Sequence, residues 1–148
     1  MPSDLPTPLI SAAELLALVQ SDPDRLRVID CRWVLGQPGA GRAAWLEGHI
    51  PGAIHLDVDE DLADVEGFGA PGRHPLPSPT AFRRRLESAG VDDRHLVVAY
   101  DDVGGWVAAR LWWMLENLGH QDVAVLDGGI QAWVAAGAPL TDDVETFP

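Results

Sequence analysis

Residues 97–110 read VVAYDDVGGWVAAR. An apolar run through Tyr100 stops at Asp101-Asp102, turns on Gly104-Gly105 and returns to apolar sequence at Trp106. A strand, a tight glycine turn and a helix start, in that order, make a pocket whose backbone N–H groups hold an anion. This loop (Asp101, Asp102, Val103, Gly104, Gly105) offers no Ser, Cys, Lys or His to such a pocket and brings two carboxylates of its own. Asp101 or Asp102 is therefore expected to fill the nest from within, as a helix cap worth about 1 kcal/mol. The competing reading makes an Asp the nucleophile of phosphoryl transfer, which needs metal ligands and a lysine. The chain has no lysine; all its basic residues are arginine.

Working outward from the loop, apolar runs alternate with helical patterns. Ser11 and Glu14 form a capping box opening a helix that carries Leu15, Leu16, Leu18 and Val19, and Pro23 ends it. Val28-Ile29 is a short strand. Residues 36–42 are a glycine-rich loop, followed by a helical turn at 43–47, and Ala53 to Leu56 is a second strand. Ser78-Pro79 starts a helix running to about Ala89. Leu96 to Tyr100 and Val123 to Leu126 are strands, and Trp106 to Leu118 is a helix, apolar almost all round, with Gly119 after it. Ile130 to Ala136 is the last helix, capped by Gly137. Strands that are continuous apolar runs, separated by helices, indicate an α/β fold with a central parallel sheet flanked by helices on both faces. Ligands in such folds sit beyond the carboxy ends of the strands, here after Leu56 and Tyr100.

At 148 residues the chain fits a single domain. Residues 1–9 read as an extension and the polar tail 141–148 as the start of an interdomain linker. With 23 acidic residues against ten basic ones, the formal charge is −13. That balance excludes nucleic acid and anionic membrane surfaces as partners, since both are bound by clustered positive charge. No apolar run approaches the length of a membrane span, and the first residues lack the pattern of a signal peptide, so a cytoplasmic location is expected.

A long stretch from Asp57 to Pro77, rich in Asp, Gly and Pro, has little periodicity. Loops of that length in a compact domain are functional or disordered. Asp57 opens it and His74 lies within it; an Asp orienting a His that activates a partner is the geometry of nucleophile support. The structural alternative is that both are loop residues without chemistry. The single cysteine, Cys31, reads as a small core residue, with Arg32 beside it as the one feature favouring a reactive thiol. His49 reads as a ring bonding backbone carbonyls across a tight turn, and Asp30 as a strand-end residue pinning its loop. His55, His95 and His120 have no metal-ligand spacing and read as surface or capping residues; Trp112-Trp113 reads as core. No metal or cofactor is expected.

HIPGAIHLD (49–57), HLVVAYDD (95–102), ARLWWML (109–115), GH (119–120) and VLDGGIQAW (125–133) resemble the rhodanese superfamily. The likeness is strongest to the amino-terminal half of two-domain thiosulfate or 3-mercaptopyruvate sulfurtransferases and runs from about Ile10 to Leu140. It implies a rhodanese-like parallel sheet flanked by helices. It also implies that the residue after the strand ending at Tyr100 is, in active domains, a cysteine carrying the transferred sulfur as a persulfide. Here that residue is Asp101, so the 101–105 loop is the vestige of an active-site loop and no catalytic residue is expected in this chain alone. The catalytic cysteine would lie in a carboxy-terminal rhodanese domain, in the same polypeptide or in trans. Small sulfur-containing substrates would be reached only through that partner. Asp57 and His74 match family positions that face the partner's cysteine.

The expected function is thus the supporting half of a sulfurtransferase moving sulfane sulfur from thiosulfate or 3-mercaptopyruvate to cyanide or a thiol. The alternative is a stand-alone rhodanese-like interaction or regulatory module. A rhodanese-fold phosphatase would need the same missing cysteine. Continuation of the polypeptide past Pro148 into a second domain with a cysteine loop separates the first two.

Overall fold

Ser11 caps its helix as the spacing predicts: its hydroxyl accepts the Glu14 N–H at 3.1 Å while the Glu14 carboxylate accepts the Ser11 N–H at 3.2 Å. Ser78 does the same for the helix after it, accepting from the Ala81 N–H, with Pro79 in the first turn. The computed structural model describes residues 8–63 and 76–144. Its elements are β1 (Leu9–Ile10), α1 (Ala12–Ser21), β2 (Leu26–Asp30), α2 (Ala40–Glu47) and β3 (Ile54–His55). They continue as α3 (Pro79–Ser88), β4 (Leu96–Tyr100), α4 (Trp106–Leu118), β5 (Val123–Leu126) and α5 (Gly129–Ala135).

The strands form one sheet in the order β1-β5-β4-β2-β3, with every pair parallel. Successive side chains of a strand point to opposite faces, and the core divides accordingly. Ile29, Val97, Ala99, Val123 and Val125 pack on one face with Phe82 and Leu86 of α3 and Leu111 and Leu115 of α4. Leu26, Val28, Val98, Tyr100, Ala124 and Leu126 pack on the other with Leu15 of α1 and Ile130 and Trp133 of α5. The expected α/β architecture, a parallel sheet covered on both faces, is the one found.

The differences are local. β1 escaped the sequence reading because a two-residue edge strand carries no periodicity; it is held by the Pro8 and Ile10 carbonyls, which accept from Val125 and Asp127 N–H. α2 begins at Ala40, inside what reads as a glycine loop. Gly41 is buried there, and a Cβ on it would overlap the Arg32 carbonyl, so this helix needs a glycine that its propensity disfavours. α4 is not packed all round: Val107, Ala108, Leu111, Met114 and Leu115 are buried, while Trp106 and Trp113 are 63% and 48% exposed. Those two are seven residues apart, on one outer stripe, so Trp113 is not core. His55 and His95 are buried rather than at the surface; their rings serve the backbone, facing the Arg32 carbonyl and accepting the Asp92 N–H respectively.

Candidate functional site

The carboxy ends of β2, β3 and β4 bring the 31–39, 56–63 and 101–105 loops to one edge of the sheet. In the last of these the chain turns on Gly104 and Gly105, at φ +81° and +94°, a left-handed pair that only glycine adopts without strain. That turn points four backbone N–H groups at one place, and the fully buried Asp101 carboxylate occupies it. Oδ1 accepts from Val103 at 3.0 Å and Gly105 at 2.9 Å; Oδ2 accepts from Val107 at 3.0 Å and Ala108 at 2.9 Å. Two first-turn donors of α4, the Val107 and Ala108 N–H groups, are thereby satisfied from within the chain, and the carboxylate faces the positive end of the helix dipole. The Asp102 side chain is exposed and, among the described residues, does not join the nest; its carbonyl accepts from the Gln131 side chain at 2.6 Å.

A second buried carboxylate lies one strand away. Asp30 Oδ2 accepts from the Tyr100 hydroxyl at 2.7 Å and from Arg32 Nη2 at 2.7 Å, and Oδ1 accepts the Arg32 N–H at 2.9 Å. Arg32 Nη2 also donates to the Gly48 carbonyl, and the Ile50 N–H donates to the Tyr100 hydroxyl, which ties the HIPGA turn to the sheet. Burial works against the guanidinium charge, but the Asp30 bonds outweigh it and hold the Arg32 pKa above its ordinary value. Burial, with Asp30 adding to it, pushes the Tyr100 phenol far up, so it stays a neutral donor. Asp30 thus pins its loop as read from the sequence. Its partners Arg32 and Tyr100 were missed, although Asp30 and Arg32, two apart at a strand end, share a face.

Cys31, between the two carboxylates, is fully buried. Burial, then Asp30, then Asp101 raise its thiol well above the ordinary range, the reverse of what a reactive cysteine needs. Arg32 does not activate it, because its guanidinium is engaged by Asp30.

Asp57 opens its loop as a cap. Its Oδ1 accepts from the Asp59 and Glu60 N–H groups at 2.7 and 3.1 Å, and its own N–H donates to Asp61 Oδ2 at 2.8 Å. The turn so formed is tied down by side chains the sequence did not single out. The Trp33 indole donates to Asp59 at 2.8 Å, and Arg110 donates twice to the Leu62 carbonyl at 3.0 and 2.8 Å. His74 lies outside the described residues. Among the described residues no group of His, Cys, Asp and Glu could hold a metal ion, and no helix is long and apolar enough to cross a membrane.

A glycine-turned nest thus lies between a parallel strand and a helix, and comparison with known proteins gives the family of the chain. The profile of the rhodanese-like domain matches residues 11–136. This chain belongs to the rhodanese-like domain family. A probable 3-mercaptopyruvate sulfurtransferase of Pseudomonas aeruginosa is 45% identical over 135 residues, covering 90% of this chain and 47% of that protein. A putative thiosulfate sulfurtransferase of Mycobacterium tuberculosis is 40% identical over 132 residues, covering 89% and 45%. The structure of 3-mercaptopyruvate sulfurtransferase from Leishmania major superposes with a TM-score of 0.83 at 30% identity, covering 98% of this chain and 39% of that one. This rhodanese-like chain therefore spans about half the length of the curated relatives it matches.

Proposed function

We propose that this chain is the non-catalytic half of a sulfurtransferase that moves sulfane sulfur from thiosulfate or 3-mercaptopyruvate to cyanide or a thiol. Asp101 carries the reading. It stands where the resemblance puts the sulfur-carrying cysteine and takes all four N–H bonds that a bound anion would use. A carboxylate cannot form a persulfide, so the 101–105 loop is a retired cradle. Cys31 offers no substitute, being buried with a thiol held protonated.

The sulfur carrier is then the cysteine of a carboxy-terminal rhodanese domain, in the same polypeptide or in trans. The length of the relatives, about twice this chain, supports that assignment. Residues 141–148 lead toward it. The partner docks on the carboxy edge of the sheet, where Val34, Leu35, Val103 and Trp106 are exposed apolar side chains and Trp106 meets Trp33 edge-on at 6.1 Å. Asp57 and His74 serve that face, His74 supporting the partner's thiolate and Asp57 orienting the His74 ring.

Thiocyanate production from thiosulfate and cyanide tests the reading. The purified chain alone should form none, and activity should require a rhodanese domain bearing a loop cysteine. Robust turnover by this chain alone overturns the proposal, and loss of that turnover in Cys31→Ser would move the carrier to Cys31. A partner domain equally active without this chain would leave the interaction-module reading.

A further inference from the structure

His49 is fully buried, and each of its two ring nitrogens faces a backbone carbonyl. Nδ1 lies 2.6 Å from the Trp45 oxygen, and Nε2 lies 2.7 Å from the Asp143 oxygen. A carbonyl oxygen only accepts, so both nitrogens must donate. A neutral imidazole has one N–H and one lone pair; only the imidazolium donates from both. Either neutral tautomer would press a lone pair against a carbonyl, and a flipped ring would put carbon against both.

We propose that His49 is a buried imidazolium that pins the segment leaving the domain to the end of α2. The surroundings favour the charge. Trp45 is in the last turn of α2, where carbonyls lack intrahelical partners and the helix dipole is negative. The His49 N–H that would continue the helix turns instead to the Thr141 carbonyl at 2.8 Å, and the ring takes its place on Trp45. The Trp45 indole stacks on the ring with centroids 4.9 Å apart.

The exit segment is shaped to deliver the second acceptor. The Trp133 indole holds the Pro139 carbonyl, and the Thr141 N–H donates to the His49 carbonyl at 2.9 Å. The Asp143 N–H donates to the Thr141 hydroxyl, which closes the turn that brings the Asp143 carbonyl to Nε2. The charged and titratable groups on the packed elements are Arg42 and Glu47 of α2, His55 of β3 and the Asp30–Arg32–Tyr100 cluster at the strand ends. On the exit segment they are the exposed Asp142 and Asp143. Among the described residues no carboxylate forms an ion pair with the ring, so the two carbonyls carry the assignment. A neutral ring would leave one of the two carbonyls facing a lone pair. In the two-half reading, on which this consequence alone rests, His49 is a positioning residue that fixes where the partner half begins.

The test needs only this chain. Nitrogen-15 NMR of the full chain at about pH 7 should show both His49 ring nitrogens protonated. Exchange of the Thr141 amide should be slow. Thr141→Pro removes the Thr141 N–H without touching the core; it should leave one protonated His49 nitrogen at that pH, with most of the remaining spectrum unchanged. One lone-pair nitrogen on His49 in the parent chain, with the Thr141 amide still protected, overturns the proposal. Two protonated nitrogens that persist in a Thr141→Pro chain whose segment has detached also overturn it, because the Asp143 carbonyl would not be what holds the charge.

Discussion

Gly129 lies against the carbonyl of Asp101 so closely that a Cβ on the glycine would overlap it. The Ile130 N–H donates to that same carbonyl at 3.0 Å, and the Gln131 side chain donates to the carbonyl of Asp102. The turn after β5 is therefore built onto the turn after β4. The glycine pair in VLDGGIQAW and the one in YDDVGG are parts of a single interlocked edge.

Gly129→Ala should destabilise the chain by roughly 2–4 kcal/mol, because a side chain meets both a φ of +61° and the Asp101 carbonyl. Gly36→Ala is the control: its φ is +75°, but the added methyl meets nothing within 4 Å. The control should cost only the backbone strain, about 1–2 kcal/mol. Urea unfolding of the two variants measures the difference. Equal losses would mean that the Asp101–Gly129 approach does not constrain the fold.

Asp101→Ala should cost more than the 1 kcal/mol of a single cap. It leaves the buried Val107 and Ala108 N–H groups without their acceptor, at about 1–3 kcal/mol for each unsatisfied group. The emptied nest should then take an anion from solution. Sulfate should raise the melting temperature of Asp101→Ala more than that of the parent, whose nest is already filled. A variant as stable as the parent, with no response to sulfate, would refute the built-in-anion account.

The parts of the fold that short-range chemistry dictates were legible in the sequence. Ser11, Ser78 and Pro79 mark helix starts because a side chain or ring acts within one turn, and β4 and β5 declare themselves as unbroken apolar runs. The unread parts depend on distant partners. Gly41 sits inside α2 because the Arg32 carbonyl leaves no room for a Cβ there, and β1 exists because β5 offers an edge. Trp106 and Trp113 look like core by composition, yet point outward because α4 has only one face against the sheet. At the site, the sequence indicated a filled nest but not which carboxylate fills it. That choice is made by the inward turn at Asp101, which no residue-type preference distinguishes from Asp102.

His95 should take stability away as the solution is acidified through and below the ordinary histidine range. Burial, then Arg27, holds its pKa below the ordinary value, and its Nδ1 accepts the Asp92 N–H at 2.9 Å, a role only the unprotonated nitrogen can fill. Above about pH 6.5 the ring is neutral folded or unfolded and its titration adds no pH dependence. Below that value the unfolded chain binds the proton first, so stability drops until the folded-state value is passed. On going from about pH 7 to pH 5 the urea midpoint of His95→Gln should fall less, or rise more, than that of the parent chain. An identical difference would remove His95 from the account.

The turn opened by Asp57 gives the docking proposal its sharpest test. Asp57 Oδ1 is spent on the Asp59 and Glu60 N–H groups, so Asp57→Ala should loosen the turn and carry a stability cost of about 1 kcal/mol. His74 belongs to the same loop in sequence and is proposed to act on the partner's thiolate rather than on this fold. His74→Ala should leave the melting temperature of this chain almost unchanged, as loop substitutions away from caps and core do. Joined to the catalytic half, the same variant should slow sulfur transfer by about 10²–10⁴-fold, the range for a positioned acid–base group. His74→Ala thus separates turnover from stability, whereas Asp57→Ala moves both. A His74→Ala protein that loses stability but keeps its turnover would make His74 a structural residue and remove the chemical argument for the docking face.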